Sequence, residues 1–193
     1  MKYLHLSVFI LFFALMFNSC DETDDIFGSS NVDPLIDGEV AEAQTYDLRT
    51  PVYGMQVAID SRVNSGTQSV LDLLDNRATQ FLNCQFMEGA ELGFETVMLE
   101  NGTMVPPLSD LRVYVVPRRF ECDAVDRDVC SGIYFFSIDA IVIAEGGFLG
   151  CGEFAVWKHE LGHRYGMDAD HSNQSDFEPC INAQNCNAGD LFD

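Results

Sequence analysis

Three of the chain's four histidines fall within thirteen residues, His159 to His171. The first five of these read His159-Glu160-Leu161-Gly162-His163, and that spacing makes a strong demand on the fold. On an α-helix, residues i and i+4 share a face, so both imidazoles reach a single metal ion only if the segment is helical. Glu160 then lies close enough to take a proton from water at that point without itself being a ligand. Gly166 follows, at the place where a glycine most easily makes the left-handed turn that ends a helix. A helix from about Glu153 to Tyr165 is therefore expected, with Phe154, Ala155, Trp157, Leu161 and Gly162 spread over faces that imply deep burial. Glu153 sits near its N-terminal end, where a carboxylate complements the helix dipole and has a structural role.

The rest of the chain reads as an α+β order. Val52 to Ile59 predicts a first strand. Thr67 or Ser69 can cap a helix running to about Asn83, whose apolar face is Val70, Leu71, Leu74, Ala78, Phe81 and Leu82. Phe94 to Leu99 and Leu111 to Val116 predict two more strands, separated by the breakers Asn101-Gly102 and Pro106-Pro107. Pro117 to Cys130 is charged and reads as loop. Ile138 to Ala144, short and β-branched, is the clearest strand. Glycines from Gly146 to Gly152 then loosen the chain ahead of the histidine helix. Beyond Gly166 the sequence is polar and irregular.

The formal charge of -21, from 31 acidic and 10 basic residues, argues against a nucleic-acid partner, whose phosphates demand Lys and Arg clusters. Such an acidic surface keeps an exported protein soluble. Residues 1–19 read as an export signal. Lys2 supplies the positive start, and Leu6 to Phe17 form an apolar stretch too short to span a bilayer. Phe17-Asn18-Ser19-Cys20 resembles a bacterial lipobox, in which Cys20 is acylated and becomes the first residue. The acidic run Asp21 to Asp25 resembles the export signal of surface lipoproteins in Bacteroidetes-type bacteria. Residues 20–49 then read as an acidic, flexible tether, and residues 50–193 as the folded domain. The expected location is the bacterial envelope, lipid-anchored to the outer membrane, surface-exposed or facing the periplasm.

Six further cysteines, Cys84, Cys122, Cys130, Cys151, Cys180 and Cys186, suit a disulfide framework in an exported protein, with fifteen possible pairings. Short loops favour Cys122 with Cys130 and Cys180 with Cys186, which leaves Cys84 with Cys151. No C-x-x-C pair is present to suggest a cysteine-based zinc site.

The histidine run resembles that of the metzincin metallopeptidases, H-E-x-x-H-x-x-G-x-x-H followed by a methionine-containing turn. His159, Glu160, His163 and Gly166 match that signature residue for residue. The order of strand, helix, strands and metal helix from about Val52 is similar too. The resemblance implies a mixed, mostly parallel sheet, a long helix, a zinc-binding helix and a short irregular C-terminal subdomain. It also implies that a strand within Ile133 to Ala144 lines the substrate cleft. There are two departures. The signature's third ligand position falls on Ala169, which cannot bind metal, so His171 is expected instead, with Asp170 and Asp168 as alternatives. No methionine follows Met167, and Pro179-Cys180-Ile181-Asn182-Ala183 resembles the turn with its methionine lost.

The resemblance implies a zinc metalloendopeptidase acting on extracellular protein or peptide, with Glu160 as the catalytic base and Zn²⁺ held by His159, His163 and His171. A monomer is expected, touching the membrane only through the lipid at Cys20. Two rival readings share the motif. One is a catalytically silent, metzincin-like surface lipoprotein that acts as a binding module, and the other is a zinc site that serves only to hold the fold.

Overall fold

A computed structural model describes residues 32–86, 89–124, 127–149 and 156–182. The expected signal at 1–19, Cys20, the acidic run and the first part of the tether lie outside the described residues, as do Cys151, Glu153, Cys186 and Ala183. The architecture is α+β. A five-stranded mixed sheet runs in the order β1 (Leu48–Arg49), β2 (Gln56–Ile59), β5 (Arg112–Val116), β9 (Ala140–Ala144), β8 (Gly132–Phe135). β2, β5 and β9 are parallel, whereas β1 and β8 join antiparallel at the two sides. The sheet is therefore half parallel by pairing rather than mostly so, because each side is closed by a local antiparallel neighbour instead of a crossover.

Alternation along the strands decides what covers each face. Val113, Val115, Ile141 and Ile143 belong to the larger apolar cluster, which also takes in helix α2 (Thr67–Gln85) and helix α4 (Val156–Arg164). Val116, Val142 and Ala144 belong to a second cluster, with Ile36, Ala41 and Phe120. β9 is buried at all five positions, which is why it reads as the uninterrupted apolar run Ala-Ile-Val-Ile-Ala.

The second cluster corrects the expectation of a solvated tether through residue 49. Residues 32–49 include helix α1 (Gly38–Glu42), which Asp37 caps by accepting from the Val40 N–H at 2.9 Å, and they bury Ile36 and Ala41. Asp33 is buried, bridges to Phe120 and meets Arg62 and Arg118 at 2.9 Å each. The physical reason is the apolar second face of the sheet, which this segment covers.

Helix α2 has the predicted apolar face, with Val70, Leu71, Leu74, Ala78, Phe81 and Leu82 all buried. Its N-cap is Gly66 without a side-chain bond, rather than Thr67 or Ser69. The expected strand from Phe94 is only Val97–Met98 (β3), paired with β4 (Met104–Val105), and Gly89–Phe94 before it is a 3-10 turn. Pro117 to Cys130 is not a loop but the hairpin β6 (Phe120–Ala124) and β7 (Arg127–Cys130). Gly146–Leu149 forms a helical turn, α3, where glycines had implied loose chain. Ile138 falls in a 3-10 turn ahead of β9.

Two disulfides are present among the described residues. Cys122–Cys130 closes the β6–β7 hairpin as expected, with Cα atoms 5.8 Å apart. The second joins Cys84 to Cys180 at a Cα separation of 5.4 Å, which overturns both Cys180–Cys186 and Cys84–Cys151. Sequence proximity misled here. Helix α5 (Glu178–Ile181) packs against the end of α2 and brings together two cysteines that are distant in the chain. Pro179 to Asn182, expected as a methionine-turn relic, is this helical turn and its cap. No described helix is long and apolar enough to cross a membrane.

Candidate metal centre

Helix α4 is docked before it can be chemical. Trp157, fully buried, donates its indole N–H to the Leu74 carbonyl of α2 at 3.1 Å, fixing one helix on the other. Its end is a Schellman motif. The Met167 N–H bonds the Gly162 carbonyl at 2.8 Å, and the Gly166 N–H bonds the His163 carbonyl at 3.3 Å. Gly166 has φ +107°, a left-handed backbone that a side chain would strain. The chain thus reverses three residues beyond the second histidine, as the glycine in the sequence implied.

The reversal returns His171 to the helix. The Nε2 atoms of His163 and His171 lie 3.1 and 3.0 Å from Nε2 of His159. His171 lies flat over His159, with ring centroids 5.0 Å apart. His159, His163 and His171 form a cluster that can hold a metal ion. Three imidazole nitrogens bound tetrahedrally to zinc at ~2.0–2.1 Å would stand roughly 3.3–3.4 Å from one another. The two spacings to His159 are within a few tenths of an ångström of that, and all three ligand atoms lie within 4.8 Å of one another, so the donor set can hold such an ion.

Two local features prepare these ligands. Nδ1 of His163 lies 3.1 Å from the Met167 carbonyl, which can only accept, so Nδ1 carries the proton and Nε2 presents its lone pair to the cluster. Burial pushes the His163 pKa below the usual histidine range, the Met167 carbonyl opposes this, and His171 adds to the lowering. The outcome is neutral imidazole, the form that binds metal. His171 itself has φ +60°, uncommon for a residue with a side chain and costing roughly 1–2 kcal/mol. The turn that aims this ring at His159 is held by the His171 N–H on the Asp168 carbonyl at 2.9 Å.

The alternative third ligands are occupied elsewhere. A carboxylate oxygen of Asp168 accepts from the Ser172 hydroxyl at 2.8 Å, and one of Asp170 accepts from the Ser172 N–H at 3.0 Å. Neither belongs to the cluster. Glu160 is buried on α4 and lines the same cleft as the histidines. Its side chain packs over Gly132 of β8, where a Cβ would come within 3.0 Å of the carboxylate. A glycine at that point lets the helix and the strand approach.

The cleft has a volume of about 1070 Å³. Gly132, Ile133 and Tyr134 of β8 line one part of it, and Leu99, Asn101 and Thr103 around the β3–β4 turn line another. Several contributors to the site escaped sequence reasoning. Arg164, whose side chain is 0% exposed, donates to both Asp139 oxygens at 2.8 Å and to the Pro106 and Pro107 carbonyls at 2.9 and 3.2 Å. The Tyr134 hydroxyl donates to Asp139 at 3.1 Å. Met167 covers the bare face of Gly162, its Cε 3.2 Å from where a Cβ would stand. The available signal was a charged residue, Arg164, at the end of an otherwise buried helix. No family model, curated protein or solved structure matches the chain.

Proposed function

We propose that this chain is a zinc metalloendopeptidase of metzincin-like build, exported and lipid-anchored through Cys20, that cleaves extracellular proteins or peptides. The observation that carries the reading is the convergence of three imidazole nitrogens in an open cleft that Glu160 also lines. His159, His163 and His171 would hold the ion. Zinc bound there would supply Lewis acidity, making water acidic enough to lose a proton near neutral pH and polarising a peptide carbonyl.

The remaining work belongs to the chain's own groups. β8 stands at one end of the strand order, and among the described residues no strand pairs with its outer edge, along which an extended peptide would pair main chain to main chain. A substrate lying there passes Gly132, against which Glu160 rests. Glu160 takes the proton of the attacking water and returns it to the leaving amine as the peptide bond breaks. The Met167 carbonyl keeps His163 in one tautomer throughout, so its Nε2 stays available.

Glu160→Gln tests this reading, because it removes the base and keeps the shape of the side chain. Chelator-sensitive cleavage of casein by the zinc-loaded wild type is expected, with a loss of about 10²–10⁴-fold in the variant. Absence of cleavage by the wild type, with no difference in the variant, would leave a binding module in place of an enzyme.

A further inference from the structure

The cleft contains an aromatic corner that neither the three histidines nor Glu160 explains. Phe136 lines the cleft and is 74% exposed, the most exposed large apolar side chain among the described residues. Two residues earlier on the same edge, Tyr134 meets it edge-on, with ring centroids 6.3 Å apart and planes at 82°. A solvent-exposed phenylalanine is unremarkable alone, but one on the rim of a concave site, braced by a second ring, is a surface waiting to be covered.

Tyr134 is not free to swing away. Its hydroxyl donates to Asp139, which is gripped by both arms of Arg164. Asp139 itself has φ +45°, a left-handed conformation at the end of the turn that carries it. The same ion pair consumes the charge of Arg164, the only lysine or arginine among the described residues lining the cleft, and Asp123, Glu160 and Asp168 line it as well. Beside the two rings, away from the metal position, an acidic side chain therefore meets no unpaired lysine or arginine among the described lining residues, whereas an apolar one finds apolar surface to cover.

We propose that Tyr134, held by the Asp139–Arg164 pair, and Phe136 beside it form a subsite that selects a bulky apolar or aromatic side chain of the bound peptide. The proposal rests on the endopeptidase reading for its setting, since the peptide is taken to lie along β8. The subsite names the substrate class, namely peptides carrying phenylalanine-like residues and not acidic ones at the position facing Phe136.

The test measures binding without turnover. Fluorescein-labelled peptides of Ala and Ser, carrying Phe, Gly or Glu at each position in turn, are titrated by anisotropy onto the full zinc-loaded chain bearing Glu160→Gln. At one position Phe should bind roughly tenfold or more tighter than Gly, the value of burying one large apolar side chain, and Glu should bind more weakly than Gly. Adding Phe136→Ala should abolish the Phe preference while changing the Gly peptide less than about twofold, and Phe136→Tyr should restore it. Equal weakening of both peptides, or no preference for Phe at any position, overturns the subsite. Cleavage of the same peptides by the chain with Glu160 intact is scored separately. Selective binding without cleavage would sink the enzyme and keep the subsite, and cleavage without selectivity would do the reverse.

Discussion

Helices α2 and α4 lie packed on one another, yet their sequences follow different rules. α2 runs for 19 residues and buries eight, six of them apolar, with Asp75 and Arg77 the two charged exceptions. α4 runs for nine residues and buries seven of them, including Lys158, His159, Glu160 and Arg164. A short helix rich in buried polar groups cannot be held by its own apolar stripe, because each polar group costs free energy until it is paired. α4 is held instead by Trp157 on α2, by the Schellman turn at Gly166 and by Arg164 on Asp139. α2 is scaffold, and α4 carries two histidines of the candidate metal centre that the scaffold holds in place.

The comparison breaks most visibly at one residue on each helix. Arg164→Ala would leave the Asp139 carboxylate without its cation and two proline carbonyls without their donor. The expected loss is about 3 kcal/mol, at the low end for a buried pair because the Asp139 side chain is 23% exposed. Leu74→Ala should cost a similar amount, about 2–5 kcal/mol, through the cavity it leaves at a fully buried position. Urea unfolding measures both. The helices should part company in peptide binding to the Glu160→Gln chain below the unfolding transition, which Arg164→Ala weakens and Leu74→Ala leaves alone. If Leu74→Ala weakens it equally, the division between scaffold and site is wrong.

That division also explains what could be read from sequence. The face of α2 was legible because a periodic apolar stripe has one physical meaning. His159, Glu160, His163 and the turn at Gly166 were legible because metal geometry fixes their spacing. His171 was legible as a third member of the cluster once Ala169 was excluded. Arg164–Asp139 and Tyr134–Phe136 were not, since their partners meet only when β8, β9 and α4 are assembled. Cys84–Cys180 failed for the same reason, its ends standing at a sequence separation of 96. The covering role of residues 32–49 was hidden by composition, because an acidic segment needs only Ile36 and Ala41 to cover an apolar sheet face.

A smaller effect separates a ligand from a structural residue within the α4 region. His171 combines a left-handed backbone with a ring in the histidine cluster, so the two contributions can be pulled apart. His171→Gly relieves the strain of φ +60°, which roughly offsets the extra chain entropy of glycine. Stability without metal should stay within ~0.5 kcal/mol of wild type, while zinc affinity falls more than about 100-fold, beyond the loss from a supporting residue. Asp168→Ala should leave zinc affinity within about twofold. Equal effects of the two on zinc, measured by competition with a chromophoric chelator, would remove His171 from the ligand set.

The smallest effect concerns an ion pair on the scaffold side, at the end of β2 just before α2. Asp60 accepts from Arg62 at 3.0 and 2.7 Å, but the Arg62 side chain is 51% exposed where that of Arg164 is 0%. The Arg62 guanidinium is the main reason the Asp60 pKa lies below its ordinary value of 3.8, with burial acting in the opposite direction. A carboxylate whose folded pKa is depressed contributes stability above its unfolded pKa and loses it as pH falls through the folded one. The melting-temperature difference between wild type and Asp60→Asn should therefore be small, constant from neutral pH to about pH 5, and vanish progressively below pH 3.8. It should also shrink in salt, because solvent-exposed charges are screened. The melting cost of Arg164→Ala should barely respond to salt. If both pairs respond to salt alike, burial is not what distinguishes the pair beneath the cleft from the pair on the frame.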